Sequence, residues 1–281
     1  MGNIADALEK AGVGLVDQKG DDSGGNGDGD SSGQESYPRA APSEPWEERL
    51  NMIANDSAQA AESFRVLRSQ ILFPEDGRPA PRTIMVTSSA SGEGKSMVSV
   101  NLALAIARGL DQYALLVDCD LRRPSLAPLL GLGAVGKRGL ADYLRGEAEI
   151  RDLILKCAVQ KMSLLPSGPP PVNPAELLSS GRMNHLVEEL YNRYADRFVI
   201  FDSPPFQAAA ESSVLSKAVE GVVLVVGYGR SDRRKVKAMV DSIGAEKVYG
   251  VVFNAMKENY LNNKLFESYS QYDQYYTAGK K

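Results

Sequence analysis

Val86-Thr87-Ser88-Ser89-Ala90-Ser91-Gly92-Glu93-Gly94-Lys95-Ser96 is the stretch on which the reading of this chain turns. Ahead of it, Thr83–Val86 is apolar and rich in branched residues, as a buried strand requires. Behind it, Ser96–Gly109 carries apolar residues at helical spacing. A strand, a glycine-bearing loop and a helix, in that order, form the context in which a phosphate-binding loop operates. Gly92 and Gly94 allow the backbone to come close to phosphate oxygens, and the start of the helix adds its positive dipole end. Lys95 can reach the β- and γ-phosphates, and the Ser96 hydroxyl can ligate Mg²⁺. The position six before Lys95, commonly glycine in such loops, is Ser89. The expected nucleotide contacts are Ser91, Gly92, Glu93, Gly94, Lys95, Ser96 and Met97.

Outward from the loop the pattern alternates. Apolar strands are expected at Thr83–Val86, Ala114–Val117, Met162–Leu165, Phe198–Phe201, Val222–Val226 and Val248–Phe253. Helices are expected at Ser57–Leu72, Ser96–Gly109, Pro174–Tyr194, Glu211–Val219 and Asp232–Ile243. Short, continuous apolar strands between helices predict an α/β fold of the P-loop NTPase kind, a mostly parallel sheet with helices on both faces. Ligands of such sheets lie beyond the carboxyl ends of the strands. Two further strands end there in acid: Leu115-Leu-Val-Asp118-Cys-Asp120-Leu-Arg122-Arg123 and Phe198-Val-Ile-Phe-Asp202-Ser-Pro-Pro205. A hard cation needs oxygen ligands, and a hydroxyl nucleophile needs a base within reach. Alternation sends Asp118 and Asp120 to one face, so that either could hold metal while the other takes a proton.

Composition bounds the rest. The 281 residues carry a net charge of −4, with no long basic stripe, which argues against a nucleic-acid partner. Cys119 and Cys157 form no disulfide framework, and the single histidine, His185, excludes histidine triads and histidine-rich metal sites. No apolar run approaches the length of a membrane span, so a soluble, cytoplasmic chain is expected. Residues 1–15 read as a short helix capped by Asn3, either a docking peptide or a frayed end. Residues 16–45 read as a disordered linker: within Asp17–Pro45, 19 of 29 residues are Gly, Ser, Asp or Pro. The nucleotide-binding domain is expected over 46–257 and a flexible tyrosine-rich tail over 258–281.

Taken together these residues resemble the bacterial tyrosine kinases, P-loop autokinases that govern capsule and exopolysaccharide synthesis. The likeness runs from about Asp56 to the end of the chain. Ser91–Ser96 is similar to the family's Walker A motif, Asp118-Cys-Asp120-Leu-Arg122 to its Walker A′ and Asp202-Ser-Pro-Pro205 to its Walker B. Glu62-Ser-Phe-Arg65-Val-Leu-Arg68 is similar to its Glu-x-x-Arg-x-x-Arg oligomer motif, and Gly139–Gly146 and Leu165–Leu177 also resemble family stretches. Ala90 stands where the related septum-placement and partitioning ATPases carry a second lysine, which favours the kinases over those switch proteins. The stretch Phe206–Ser213 departs from the family's usual acidic sequence.

The resemblance implies ATP and Mg²⁺ as cofactors and a catalytic set of Lys95, Asp118, Asp120 and Asp202. Lys95 would cradle phosphates, and Asp118 would accept the proton of the incoming tyrosine. Ser96, Asp120 and Asp202 would hold the metal. Five of the twelve tyrosines lie in the last 22 residues, at Tyr260, Tyr269, Tyr272, Tyr275 and Tyr276, and are the expected phosphoacceptors of a neighbouring subunit's site. Glu62, Arg65 and Arg68 lie on one helix flank and would form the interface of a ring-shaped homo-oligomer. A separate membrane-bound chain-length regulator would recruit the chain to the inner face of the plasma membrane. The rival readings are a nucleotide-switched ATPase scaffold and a non-catalytic subunit that retains nucleotide.

Overall fold

A computed structural model describes residues 58–132, 137–194 and 196–255. The expected N-terminal helix, the linker over 16–45 and the tyrosine tail over 258–281 lie outside the described residues. The central strand β1, Thr83–Ser88, is buried along its whole length. It pairs in parallel with β5, Arg197–Asp202, on one side and with β6, Gly221–Gly227, on the other. Beyond β5 come β2, Tyr113–Asp118, and β4, Met162–Leu165, both parallel. Beyond β6 lies β7, Val248–Asn254. The full order is β3-β4-β2-β5-β1-β6-β7, where β3, Leu155–Lys156, is antiparallel to β4.

Period-two alternation divides the buried strand residues between two cores. On one face Ile84, Val86, Leu116, Ile200 and Val223 pack beneath helices α1, Ala58–Leu72, and α2, Lys95–Ala107. On the other, Met85, Leu115, Val117, Phe201 and Leu224 meet α4, Leu140–Arg145, α6, Gly181–Arg193, α7, Ala210–Ala218, and α8, Arg233–Ile243. Two one-turn helices, α3, Leu126–Leu129, and α5, Pro174–Leu178, complete the set. The P-loop-type α/β architecture read from the sequence is therefore the one observed.

All six expected strands form, and three details differ from expectation. The helix expected at Pro174–Tyr194 is two helices, because the Ser180 hydroxyl accepts the Met183 N–H and starts α6 afresh. Strand β3 was not anticipated, since two residues show no periodicity. Strand β7 is an edge, with Val251 and Phe253 exposed. His185 is largely exposed and faces Glu189 at 4.0 Å.

The Gly139–Gly146 stretch is a helix held at both ends. The Gly139 N–H donates to Asp142 Oδ2 at 2.7 Å, and a Cβ on Gly139 would fall 2.2 Å from the Pro166 carbonyl oxygen. The helix ends at Gly146, which takes a left-handed φ of 83°.

Leu116 lies at the middle of β2 with no exposed surface. Its replacement by alanine should cost about 2–5 kcal/mol of stability, read as a lowered denaturant midpoint with an unchanged slope.

Candidate nucleotide and phosphoryl-transfer site

Parallel pairing delivers the ends of β1, β2 and β5 to one edge of the sheet, and the loop between β1 and α2 closes over it. Gly92 and Gly94 both take left-handed φ values, 79° and 93°. At Gly94 a Cβ would also fall 2.0 Å from Asn254 Nδ2, so the loop here has no room for a side chain. The N–H groups of Glu93 and Gly94 donate to no backbone carbonyl among the described residues. Amides of that kind are what a phosphate needs. Lys95 opens α2 and is buried. Met97, in the first turn of α2, packs on the core beneath it.

The carboxylates gather below the loop. Asp118 and Asp202 are register partners across β2 and β5, and both are buried. Asp118 Oδ2 accepts the N–H groups of Ser125 at 3.2 Å and Leu126 at 3.1 Å. Its Oδ1 accepts the Asp120 N–H at 3.3 Å. Burial and the charge of Asp202 push the Asp118 carboxyl up to about 8, against the pull of those backbone donors. Burial raises Asp202 to about 6, against the pull of the Lys95 ammonium and of the Ser96 and Ser99 hydroxyls. Ser99 Oγ donates to Asp202 Oδ1 at 3.0 Å, whereas Asp202 Oδ2 is buried without a hydrogen-bond partner among the described residues.

Asp120 lies just past the strand, partly buried, with Oδ1 accepting the Arg123 N–H at 3.2 Å. Ser125 Oγ donates to Ser96 Oγ at 2.8 Å, which joins the loop to the segment after β2. Arg122 forms an ion pair at 3.2 Å with Glu211, a buried residue in the first turn of α7.

These residues fit a magnesium nucleotide. The unpartnered Asp202 oxygen, the Ser96 hydroxyl and Asp120 form an all-oxygen donor set suited to Mg²⁺. The loop amides and Lys95 suit phosphate.

Sequence reading did not find the supports. Ser99 orients Asp202, and Ser125 ties Ser96 to Asp118. The Glu93 carboxylate, placed among the nucleotide contacts by its motif, is engaged otherwise. It accepts from Ser89 Oγ at 3.0 Å, from the Ala90 N–H at 3.0 Å and from Ser231 Oγ. The spacing of Ser99, four residues beyond Lys95 on the same helix face, is the only one of these signals visible in a linear reading.

The interface candidates lie elsewhere, on α1. Glu62 and Arg65 are paired with each other on the surface. Arg68 donates to the Ala105 carbonyl at 2.8 Å, which ties α1 to the last turn of α2. Ala61, Arg65, Arg68, Ala105 and Arg108 line a cleft of about 250 Å³ there.

Comparison with known proteins agrees with this geometry. Residues 84–280 match the CobQ/CobB/MinD/ParA nucleotide binding domain. The chain is 32% identical over 211 residues to tyrosine-protein kinase YwqD of Bacillus subtilis, spanning 74% of this chain and 86% of that one. It is 30% identical over 240 residues to tyrosine-protein kinase CpsD of Streptococcus agalactiae, spanning 83% and 97%. The crystal structure of the chimerical protein CapA2B2 superposes with a TM-score of 0.66 at 32% identity, covering 80% of this chain and 97% of that one.

The paired acids set a pH dependence. Both carboxyls titrate higher in the folded chain than the ordinary value of 3.8. The folded state thus holds more protons than the unfolded one between those limits, and stability falls as pH rises through the folded values. The melting temperature of the nucleotide-free protein should drop by several degrees between about pH 5 and about pH 9. Asp118→Asn should flatten that slope in a melting series by scanning fluorimetry.

Proposed function

This chain belongs to the bacterial tyrosine-protein kinases, within the CobQ/CobB/MinD/ParA nucleotide-binding family, and we propose that it transfers the γ-phosphoryl group of Mg-ATP to the tail tyrosines of a neighbouring copy. The observation that supports this most is the buried Asp118–Asp202 pair at the strand ends beneath a glycine loop with open amides. Loop amides and Lys95 bind and orient the triphosphate, so that its terminal phosphorus is presented in line to an incoming hydroxyl. Asp118 accepts the tyrosine proton as the new phosphorus–oxygen bond forms and the bond from the terminal phosphorus to the bridging oxygen breaks, its electron pair leaving with ADP. Its three backbone donors, Asp120, Ser125 and Leu126, hold the carboxylate in one orientation for that transfer. Mg²⁺, held by Ser96, Asp120 and Asp202, would neutralise charge on the phosphates and, by its own charge, favour the ionised form of Asp118. Ser99 keeps Asp202 aligned.

The acceptors are Tyr260, Tyr269, Tyr272, Tyr275 and Tyr276. They follow the last strand and are reached most readily from another subunit. The Glu62/Arg65/Arg68 flank of α1 is the proposed contact of a closing head-to-tail ring. The arginine-lined cleft beside it suits a neighbour's carboxylate. Regulation of capsule or exopolysaccharide synthesis follows from the family resemblance, as does recruitment by a membrane-bound chain-length regulator. Among the described residues no helix is long and apolar enough to cross a membrane.

Incubation with Mg-ATP and activator, followed by phosphosite mapping, should place phosphate on the tail cluster. Lys95→Met should reduce that signal by about 100-fold or more, since it removes a charge aimed at the transferring group. A chain ending at Asn259 should still bind nucleotide but accept no phosphate on itself. Phosphate release without any phosphotyrosine in the wild type would point to a nucleotide-switched scaffold instead.

A further inference from the structure

Three side chains that the kinase motifs do not contain grip the phosphate loop from outside. Arg230 and Ser231 come from the turn between β6 and α8, and Asn254 ends β7. Arg230 Nη1 donates to the Gly92 carbonyl at 3.3 Å. Asn254 Nδ2 donates to the Glu93 carbonyl at 2.9 Å. Ser231 Oγ accepts the Gly227 N–H at 2.8 Å and donates to the buried Glu93 carboxylate. That carboxylate in turn holds Ser89 Oγ and the Ala90 N–H.

Peptide geometry gives these contacts a consequence. In a trans peptide the C=O and the following N–H point in opposite directions. A donor that holds the Gly92 carbonyl outward aims the Glu93 N–H inward, and one that holds the Glu93 carbonyl does the same for the Gly94 N–H. Those are two amides left without a backbone acceptor. The Glu93 carboxylate meanwhile engages the Ala90 amide and the hydroxyl that replaces the customary first glycine. We propose that Arg230, Ser231 and Asn254 are positioning residues, a brace that presents the Glu93 and Gly94 amides to the phosphates of the bound nucleotide.

The brace acts before chemistry. An unbraced loop must be ordered at the moment of binding, and that cost falls on nucleotide affinity rather than on the transfer step. Arg230 is exposed, so its removal leaves the cores intact. The test uses the full chain, with Mg-ADP affinity by calorimetry beside steady-state phosphorylation of a tyrosine copolymer. Mg-ADP binding requires no tail acceptor, so it separates failure of the brace from failure of the acceptor assignment.

Arg230→Met and Ser231→Ala should each weaken Mg-ADP and raise the KM for ATP by about 3- to 10-fold, the span of one lost hydrogen bond. In both variants kcat should stay within about twofold of wild type, as expected for binding common to ground and transition states. The melting temperature of Arg230→Met without nucleotide should be unchanged, and Arg230→Lys should recover much of the affinity by restoring a donor. Wild-type Mg-ADP affinity in both variants would overturn the brace. So would a fall in kcat at unchanged affinity, or failure of Arg230→Lys to improve on Arg230→Met. Asn254→Leu provides a further check, since it removes the other carbonyl's donor and should weaken Mg-ADP in the same direction.

Discussion

Two buried carboxylates facing each other across adjacent parallel strands set the terms for the rest of this site. Asp118 and Asp202 share a register, so the sheet that folds the domain also forces their charges together. In a water-poor environment neither charge is easily accommodated, which is why both acids retain protons well above the ordinary carboxyl range. The fold tolerates them by supplying partial positive charge: backbone donors from Ser125 and Leu126 to one, Ser99 and the nearby Lys95 to the other. Compensation is incomplete at Asp202 Oδ2, which accepts no hydrogen bond of ordinary geometry among the described residues. A strained pair of acids beneath a loop of open amides is unstable toward one kind of ligand in particular, a polyanion carrying a divalent cation. The cation relieves the carboxylates, and the anion satisfies the amides.

Much of this was legible in the linear sequence because parallel sheets write a plain code. Strands buried on both faces appear as unbroken apolar runs, and chemistry collects where the runs end. Lys95, Ser96, Asp118, Asp120 and Asp202 each follow a recognisable strand, so their convergence could be expected from topology alone. The two-residue β3 and the restart of helix at Ser180 could not, since each depends on one local contact rather than on a repeating pattern. Nor could the exposure of β7 be expected, because an edge strand and an interior strand have similar composition and differ only in what lies beside them.

The supporting residues were hidden for a different reason. Ser125, Arg230, Ser231 and Asn254 are common polar types in loop or strand-end positions, where solvation is the ordinary explanation. Their roles arise from contacts over long chain separations, such as Asn254 on Glu93 and Arg230 on Gly92. Glu93 was assigned to the nucleotide by its place in a motif, yet its side chain binds protein groups while its amide is the part left open. A motif thus identifies which segment touches the ligand. It does not distinguish side chain from backbone.

Asn254 adds a geometric point about the enzyme as a whole. Its side-chain amide occupies the place that a Cβ on residue 94 would take, and it stands four residues before the tail over 258–281 begins. Asn254 is therefore anchored at the phosphate loop of its own chain. Tyr260 lies only six residues from that anchor, whereas Tyr275 and Tyr276 lie more than twenty away. At about 3.3–3.6 Å per extended residue, six residues reach at most about 22 Å and twenty-one reach about 70 Å. If transfer runs between copies as proposed, chain length alone gives Tyr275 and Tyr276 the longer reach from that anchor.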